Sequence, residues 1–281
     1  YAARPSNFPG QQKDNETAFQ DLLMYRILYD LKRSWRVILP NLEQCALLKI
    51  GYKYLTETCA VDSVWSAVPV FCDMDAAGRG KEVYYILDYI RKHYAIYSNE
   101  YLKDQNVIDA KEKQIKEFIK EPWGLDREEH IDYPNVVALK PLKRQRGVFS
   151  QSIGSRSALG QHLKQLAREF GYELKDDNYK DFIKALFGVF EEARWLKSEK
   201  ARSVDEEETT VYQLCVDVIE WQPGDKKTVE ADFIKNRSYK DLVLSPNLFF
   251  QKLYSAEVDS LKYLRAEDHT GQLTNTDRKG R

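Results

Sequence analysis

A run of basic side chains without acidic neighbours is the feature of this sequence best suited to ligand chemistry. Residues 138–168, called the basic segment below, contain seven Lys and Arg residues and not one Asp or Glu. Lys, Arg, hydroxyl groups and the free amides of helix N-termini bind phosphate, and counterion release supplies much of nonspecific nucleic-acid affinity. We therefore predict that the segment contacts the phosphates of DNA; the alternative is a solvated loop followed by the polar face of a helix. The candidate phosphate-binding residues are Lys140, Lys143, Arg144, Arg146, Ser155, Arg156, Ser157 and Lys164.

Catalytic and metal-binding motifs are not evident. A phosphate-binding loop needs a glycine-rich turn followed by Lys and a hydroxyl residue, whereas the one Gly-Lys pair, Gly80–Lys81, is followed by Glu82. The four histidines are scattered, and the four cysteines form no C-x-x-C pair. We predict no catalytic residue and no metal site, and we expect the cysteines to be buried thiols in a reducing compartment.

The chain is long enough for about two domains and contains no candidate membrane span. Its 281 residues include 43 basic and 44 acidic side chains, so the formal charge is −1 and only a local patch can attract an anion. The longest stretches without a charged residue, 63–72 and 242–251, have about half of the length that a membrane span needs. We expect a cytoplasmic protein without membrane contact. The start at Tyr1 and the polar, turn-rich ends are typical of a piece of a longer polypeptide.

The first half of the chain is predicted to be mainly helical. Apolar residues recur at three-and-four spacing over residues 16–39, 81–97 and 104–120, which is typical of helices with one buried face. Gly and Pro residues interrupt the pattern over residues 41–80, and periodicity alone does not decide between strand and short helix there. We assign residues 1–135 to a helical domain.

The second half changes pattern. Two helices are predicted over residues 157–170 and 177–193, and strands over 195–202 and 210–219 flank a charged turn. This order is typical of a winged-helix module, although that module has three helices, so the third is either short or precedes the basic segment. A generic α+β subdomain is the alternative. We place the module at residues 136–230.

The predicted hairpin has an acidic tip. Asp205, Glu206, Glu207 and Glu208 occupy its turn, and carboxylates laid along DNA would be repelled by phosphate. We therefore expect the basic segment to face nucleic acid and the tip to face solvent or a protein partner. Residues 231–281 are predicted to form a linker with a short helix near 247–255 and a strand near 258–264. The expected fold class is a mainly helical α+β structure.

Three segments resemble large bacterial DEAD/DEAH-box helicases of superfamily 2, including the helicase subunits of DISARM-type phage defence. These segments are residues 22–48, with the sequence LLMYRILYDLKRSWRVILPNLEQCALL, residues 157–163, with SALGQHL, and a stretch around 247–272, where PNLFFQKLY leads to LRAEDHTGQL. The last segment is similar to the start of the second RecA-like motor lobe. The resemblance implies that this chain is the region between the two motor lobes.

The resemblance also implies cofactors and partners. The parent helicase would use ATP and Mg²⁺, with the nucleotide-binding motifs before Tyr1 and the arginine finger after Arg281, so the chain itself would hold no cofactor. It would contact DNA through phosphates and join a partner subunit of a defence complex.

Two other functional classes stay open. One is a protein-interaction scaffold without nucleic-acid contact, based on the acidic tip and on aromatic residues near Phe233, Tyr239, Phe249 and Phe250. The other is a free-standing transcriptional regulator, which Asp181, Glu191 and Glu192 on the second helix of the module disfavour.

Overall fold

The computed structural model describes residues 9–32, 40–120, 123–143, 148–235 and 244–256, with side chains from residue 13 onward. Over these described residues the structure is an α+β fold with 46% helix and 17% strand, which confirms the predicted class and its helical character. The described ranges contain eight α-helices, two short 3-10 helices and two β-sheets. The strand predicted near residues 258–264 lies outside the described residues.

Three long helices form in the first half, as predicted, with shifted ends. They are α1 (Pro9–Asp30), α4 (Ala76–Lys92) and α5 (Gln105–Phe118). Helix α4 begins five residues before its predicted start because the Asp75 carboxylate accepts a hydrogen bond from the Gly78 amide at 2.7 Å and so caps the first turn. Helix α1 ends at Asp30, whereas the helix was predicted to continue to residue 39; residues 33–39 lie outside the described residues.

Residues 41–80, for which the sequence pattern did not distinguish strand from helix, contain both. Strand β1 (Leu48–Tyr52) is followed by α2 (Leu55–Ala60), a 3-10 helix (Asp62–Trp65) and α3 (Pro69–Cys72). After α4 the chain forms β2 (Ile96–Tyr97) before α5.

The second half contains the predicted helices and hairpin. Strands β3 (Val136–Ala138) and β4 (Ser150–Ser152) precede α6 (Ala158–Glu169) and α7 (Asp176–Glu192). The hairpin consists of β5 (Leu196–Arg202) and β6 (Glu208–Cys215). The single strand predicted over 210–219 is divided, because a 3-10 turn (Val216–Val218) redirects the chain into β7 (Ile219–Pro223). Helix α8 (Leu248–Tyr254) agrees with the predicted short helix.

Strand β6 is the centre of the larger sheet. Strand β5 pairs with one edge of β6 over its whole length, from Leu196↔Leu214 to Arg202↔Glu208. The other edge of β6 pairs with antiparallel β3 and with parallel β2, and β4 lies parallel to β3. The second sheet is the antiparallel pair β1–β7.

One hydrophobic core extends through both halves of the chain, from Ala18 to Ile234. Trp195, at the start of the hairpin, is fully buried, and its indole N–H donates to the Lys53 carbonyl at 2.8 Å. Strands β1 and β2 of the first half pair with β7 and β6 of the second. Packing and strand pairing are therefore continuous across residues 135 and 136.

Candidate nucleic-acid interface

The start of the basic segment lies against the tip of the β5–β6 hairpin. The Val204 amide donates to the Pro141 carbonyl at 3.0 Å, and the Lys143 amide donates to the Arg202 carbonyl at 3.3 Å. Residues Leu142 and Ser203 form an isolated antiparallel bridge between these two bonds. The backbone therefore holds Lys140 and Lys143 beside the acidic turn.

The acidic tip forms ion pairs with the basic segment. The Lys140 ammonium group pairs with the Glu207 carboxylate, and the Lys143 ammonium lies 2.5 Å from the Glu206 carboxylate. The hydrogen bond from Lys140 lowers the pKa of Glu207, and the same bond raises the pKa of Lys140. The tip residues are exposed to solvent, as expected, but the tip also pairs with two of the cations that were predicted to bind phosphate.

A second group of candidates lies at the start of α6, beyond β4. The Lys164 ammonium group lies 2.8 Å from the Asp176 carboxylate of α7. The pKa of Asp176 is lowered, first by the hydrogen bond from Lys164 and then by one from Ser155. Arg156 is exposed and also lowers the pKa of Asp176 through its charge. At this group, as at the hairpin tip, a carboxylate of the chain itself holds the predicted phosphate ligands.

Ser157 has a structural role at the same place. Its hydroxyl accepts a hydrogen bond from the Gly160 amide at 3.0 Å and so caps α6. The turn before α6 packs tightly against the first turn of the helix. A Cβ atom added at Gly160 would lie only 2.2 Å from the Gly154 carbonyl oxygen. Ser157 is thus the N-cap of α6, and its hydroxyl is engaged with the helix.

Replacing Ser157 by Ala is expected to lower the free energy of unfolding by about 1 kcal/mol, because one amide of the first turn loses its partner. Urea unfolding followed by circular dichroism measures this change. Ser155→Ala is the control, since Ser155 does not cap the helix and its replacement should alter stability much less. Equal effects of the two substitutions would contradict the capping role.

The structure brings together some of the predicted site residues and leaves others undescribed. Lys140 and Lys143 meet at the hairpin tip, whereas Ser155, Arg156, Ser157 and Lys164 gather at the start of α6. Strand β4 connects the two groups. Arg144 and Arg146 lie outside the described residues.

One exposed aromatic residue in the basic segment was missed by the sequence reasoning. Phe149, directly before β4, has 73% of its surface exposed. The signal available in the sequence was a large apolar residue three positions after Arg146 in a segment without acidic residues.

A cavity of about 390 Å³ lies away from the basic segment, lined by residues of the loops around Asn41 and Asp225. Two of its acidic groups, Glu43 and Asp225, are engaged within the protein. Glu43 binds Arg91 through two hydrogen bonds of 2.8 Å. The amides of Thr228 and Lys227 donate to the Asp225 carboxylate and lower its pKa to about 2.

Three searches bear on identity and chemistry. Comparisons with family models, with curated proteins and with solved structures found no match for this chain. Among the described residues, no group of three or more His, Cys, Asp and Glu side chains is arranged to hold a metal ion. The helices of the described ranges are all too short or too polar to cross a membrane.

Proposed function

We propose that this chain binds the nucleic-acid backbone, as an accessory region of an ATP-dependent helicase or translocase. The observation that carries the proposal is the acid-free basic segment, whose Lys143 and Arg156 side chains are exposed. The carboxylates that pair with the segment lie at the surface, where ion pairs are weak and exchange readily. A phosphate can therefore replace Glu206 or Asp176 as the partner of these cations.

The topology supports a winged-helix-like module as the framework of this interface. Helices α6 and α7 precede the hairpin, and β3 pairs with β6 on the edge opposite β5, which produces the order β3–β6–β5. Helix α4 is a candidate for the third helix, since its Glu82 carboxylate lies 2.7 Å from Nε2 of His162 on α6. The sequence reasoning placed the missing helix before the basic segment as one of two options.

The exposed surface of α7 favours backbone contacts over reading of bases. Asp177, Lys180, Asp181 and Lys184 are exposed along this helix and alternate in sign. Acidic side chains in a groove are repelled by the flanking phosphates. This pattern supports nonspecific binding and disfavours a free-standing transcriptional regulator.

The resemblance of three segments supports the proposed parent. In this proposal the chain lies between the two motor lobes of a superfamily 2 helicase that acts in phage defence in the cytoplasm. The lobes bind ATP and Mg²⁺, the chain guides the nucleic acid, and a partner subunit completes the complex. Helix α8 lies within the third resembling segment, and only the C-terminal part of α1, from Leu22 to Asp30, lies within the first.

Salt dependence of binding tests the proposal. We expect log K for duplex DNA to fall linearly with log salt, by about 0.9 per neutralised phosphate. Lys143→Gln combined with Arg156→Gln should reduce this slope by about 2, whereas Lys103→Gln combined with Lys113→Gln, the same charge change on exposed residues elsewhere, should leave it unchanged. Affinity that does not respond to salt, or equal slopes for the two double variants, would contradict the proposal.

A protein-interaction scaffold is the second candidate function. Leu248 and Phe249 on α8 are 61% and 70% exposed, which favours a protein contact at this helix. Phe250 is half-buried, and Phe233 packs on Tyr85 with ring centroids 4.6 Å apart, so neither adds to an exposed patch. Tyr239 lies outside the described residues. A scaffold without nucleic-acid contact would show no salt-dependent binding in the titration above.

A further inference from the structure

Phe149 differs from its neighbours in the basic segment because it is large, apolar and 73% exposed. Burial of a Phe side chain is strongly favourable, but isolated apolar residues are common on protein surfaces. Exposure alone therefore indicates little. The rigid attachment of Phe149 and the charges around it distinguish this residue.

The backbone of Phe149 is fixed on both sides of the residue. Its amide donates to Oδ1 of Asn135 at 3.2 Å, and its carbonyl accepts from the Val136 amide at 3.1 Å. Asn135 is held in turn, since its side-chain amide donates to the His93 carbonyl at 2.7 Å and its own carbonyl accepts from Gln213 at 2.9 Å. The Phe149 ring is thus presented to solvent from a well-supported edge of the sheet.

Phe149 lies near Lys143 of the basic segment. The Leu142 amide donates to the Ser150 hydroxyl at 3.3 Å, which places the adjoining residues Lys143 and Phe149 near each other. The Lys143 side chain is 67% exposed and pairs with Glu206 of the hairpin tip.

We propose that Phe149 is a base-stacking residue and that the ligand of Phe149 and Lys143 is single-stranded nucleic acid. An unpaired base stacks on the Phe149 ring while Lys143 exchanges Glu206 for the adjacent phosphate. Aromatic rings beside cations are the common device for binding single strands, because every base has a face that stacks. In a duplex the bases are already stacked and paired, so the ring gains nothing there. The inference rests on the proposed nucleic-acid binding and names its substrate class.

The ring provides no hydrogen bond to a 2′-hydroxyl group, so it does not distinguish DNA from RNA. Both dT and U oligonucleotides of about 15 nucleotides should bind, a length within the range of known single-strand sites. A duplex of the same length is the reference ligand.

The test measures the affinity of Phe149→Ala for these three ligands by fluorescence anisotropy. We expect affinity for the single strands to fall about 5- to 150-fold, and affinity for the duplex to change less than about twofold. Phe149→Trp should retain single-strand binding because it keeps a stacking surface. Phe249→Ala is the matched control, since Phe249 is a Phe of similar exposure, 70%, on α8.

The outcomes separate the inference from the function on which it rests. If the unaltered chain binds neither single strands nor duplex, the proposed nucleic-acid function fails. If it binds both, and Phe149→Ala weakens them equally or not at all, only the stacking role is overturned. Loss of binding in Phe149→Trp as well would indicate that the site was distorted and would also overturn that role.

Discussion

Replacing Arg91 by Met is expected to lower the free energy of unfolding by about 3 kcal/mol, because two carboxylates lose their partner in the core. Arg91 is fully buried. Its guanidinium group donates to both oxygens of Glu43 at 2.8 Å, to Asp88 at 2.9 Å and to the Leu31 carbonyl at 3.2 Å. Lys92, which lies 2.6 Å from Asp88 in the unaltered chain, still provides a cation beside this carboxylate, so we expect a loss at the lower end of the range for broken buried pairs.

The variant should also change the response of stability to acid. Burial by itself would raise the pKa of Asp88, but the charges of Arg91 and Lys92 hold it below the ordinary value of 3.8. A carboxyl group with a lowered folded pKa stabilises the fold above its unfolded pKa, and this contribution is lost as the pH falls through the folded pKa. Without Arg91 the ionised Asp88 contributes less to stability, so acid removes less from the variant than from the unaltered chain. The difference between their free energies of unfolding should therefore become smaller below about pH 4.

Urea unfolding at pH 7 and near pH 3 measures both effects. Arg127→Met is the control, since Arg127 is exposed and its replacement should change stability by less than about 0.5 kcal/mol. A double-mutant cycle that combines Arg91→Met with Glu43→Gln should show a large coupling free energy, because the two side chains share two hydrogen bonds. Equal stability of Arg91→Met and Arg127→Met would contradict a structural role for the buried network.

Replacing Glu206 and Glu207 together by Gln is expected to raise nucleic-acid affinity about tenfold at low salt. The double substitution removes the carboxylates that pair with Lys143 and Lys140. Both ammonium groups then become available to phosphate, and the slope of log K against log salt should steepen by about 2. Most substitutions at a binding surface lower the affinity for the ligand, whereas this double substitution is expected to raise it.

The control for the acidic tip is a matched change of charge elsewhere. Glu117→Gln combined with Glu128→Gln alters the net charge equally at exposed positions outside the hairpin. An equal rise in affinity for the two double variants would mean that only net charge matters. No rise in Glu206→Gln/Glu207→Gln would mean that the tip does not compete with phosphate.

Local sequence patterns predicted most of the helical fold. The apolar stripes of α6 and α7, the Ser157 cap and the left-handed Gly171, with φ 81°, are encoded within a few residues of one another. The alternating pattern of β6 is equally local. Ends of elements were less accurate, since β6 stops at Cys215 where the chain leaves one sheet for the other.

The candidate site could be predicted only in its composition. The acid-free run of Lys and Arg is visible in the sequence, as are the four acidic residues of the hairpin turn. Their mutual pairing is not, because Lys140 and Glu207 are 67 positions apart and meet only through the β3–β6 and β5–β6 pairings. Tertiary contacts also determine the exposure of Phe149, which depends on how Asn135, 14 positions away, and Val136 hold the start of β4.

The sequence alone therefore determined the helices, the hairpin, the α+β class and the concentration of positive charge, since these depend on periodicity and on neighbouring residues. The tertiary structure alone decided which charges are neutralised within the chain, why Arg91 is tolerated in the core and which aromatic ring faces solvent. These properties depend on contacts between distant residues, and their strength depends on burial, which only packing defines.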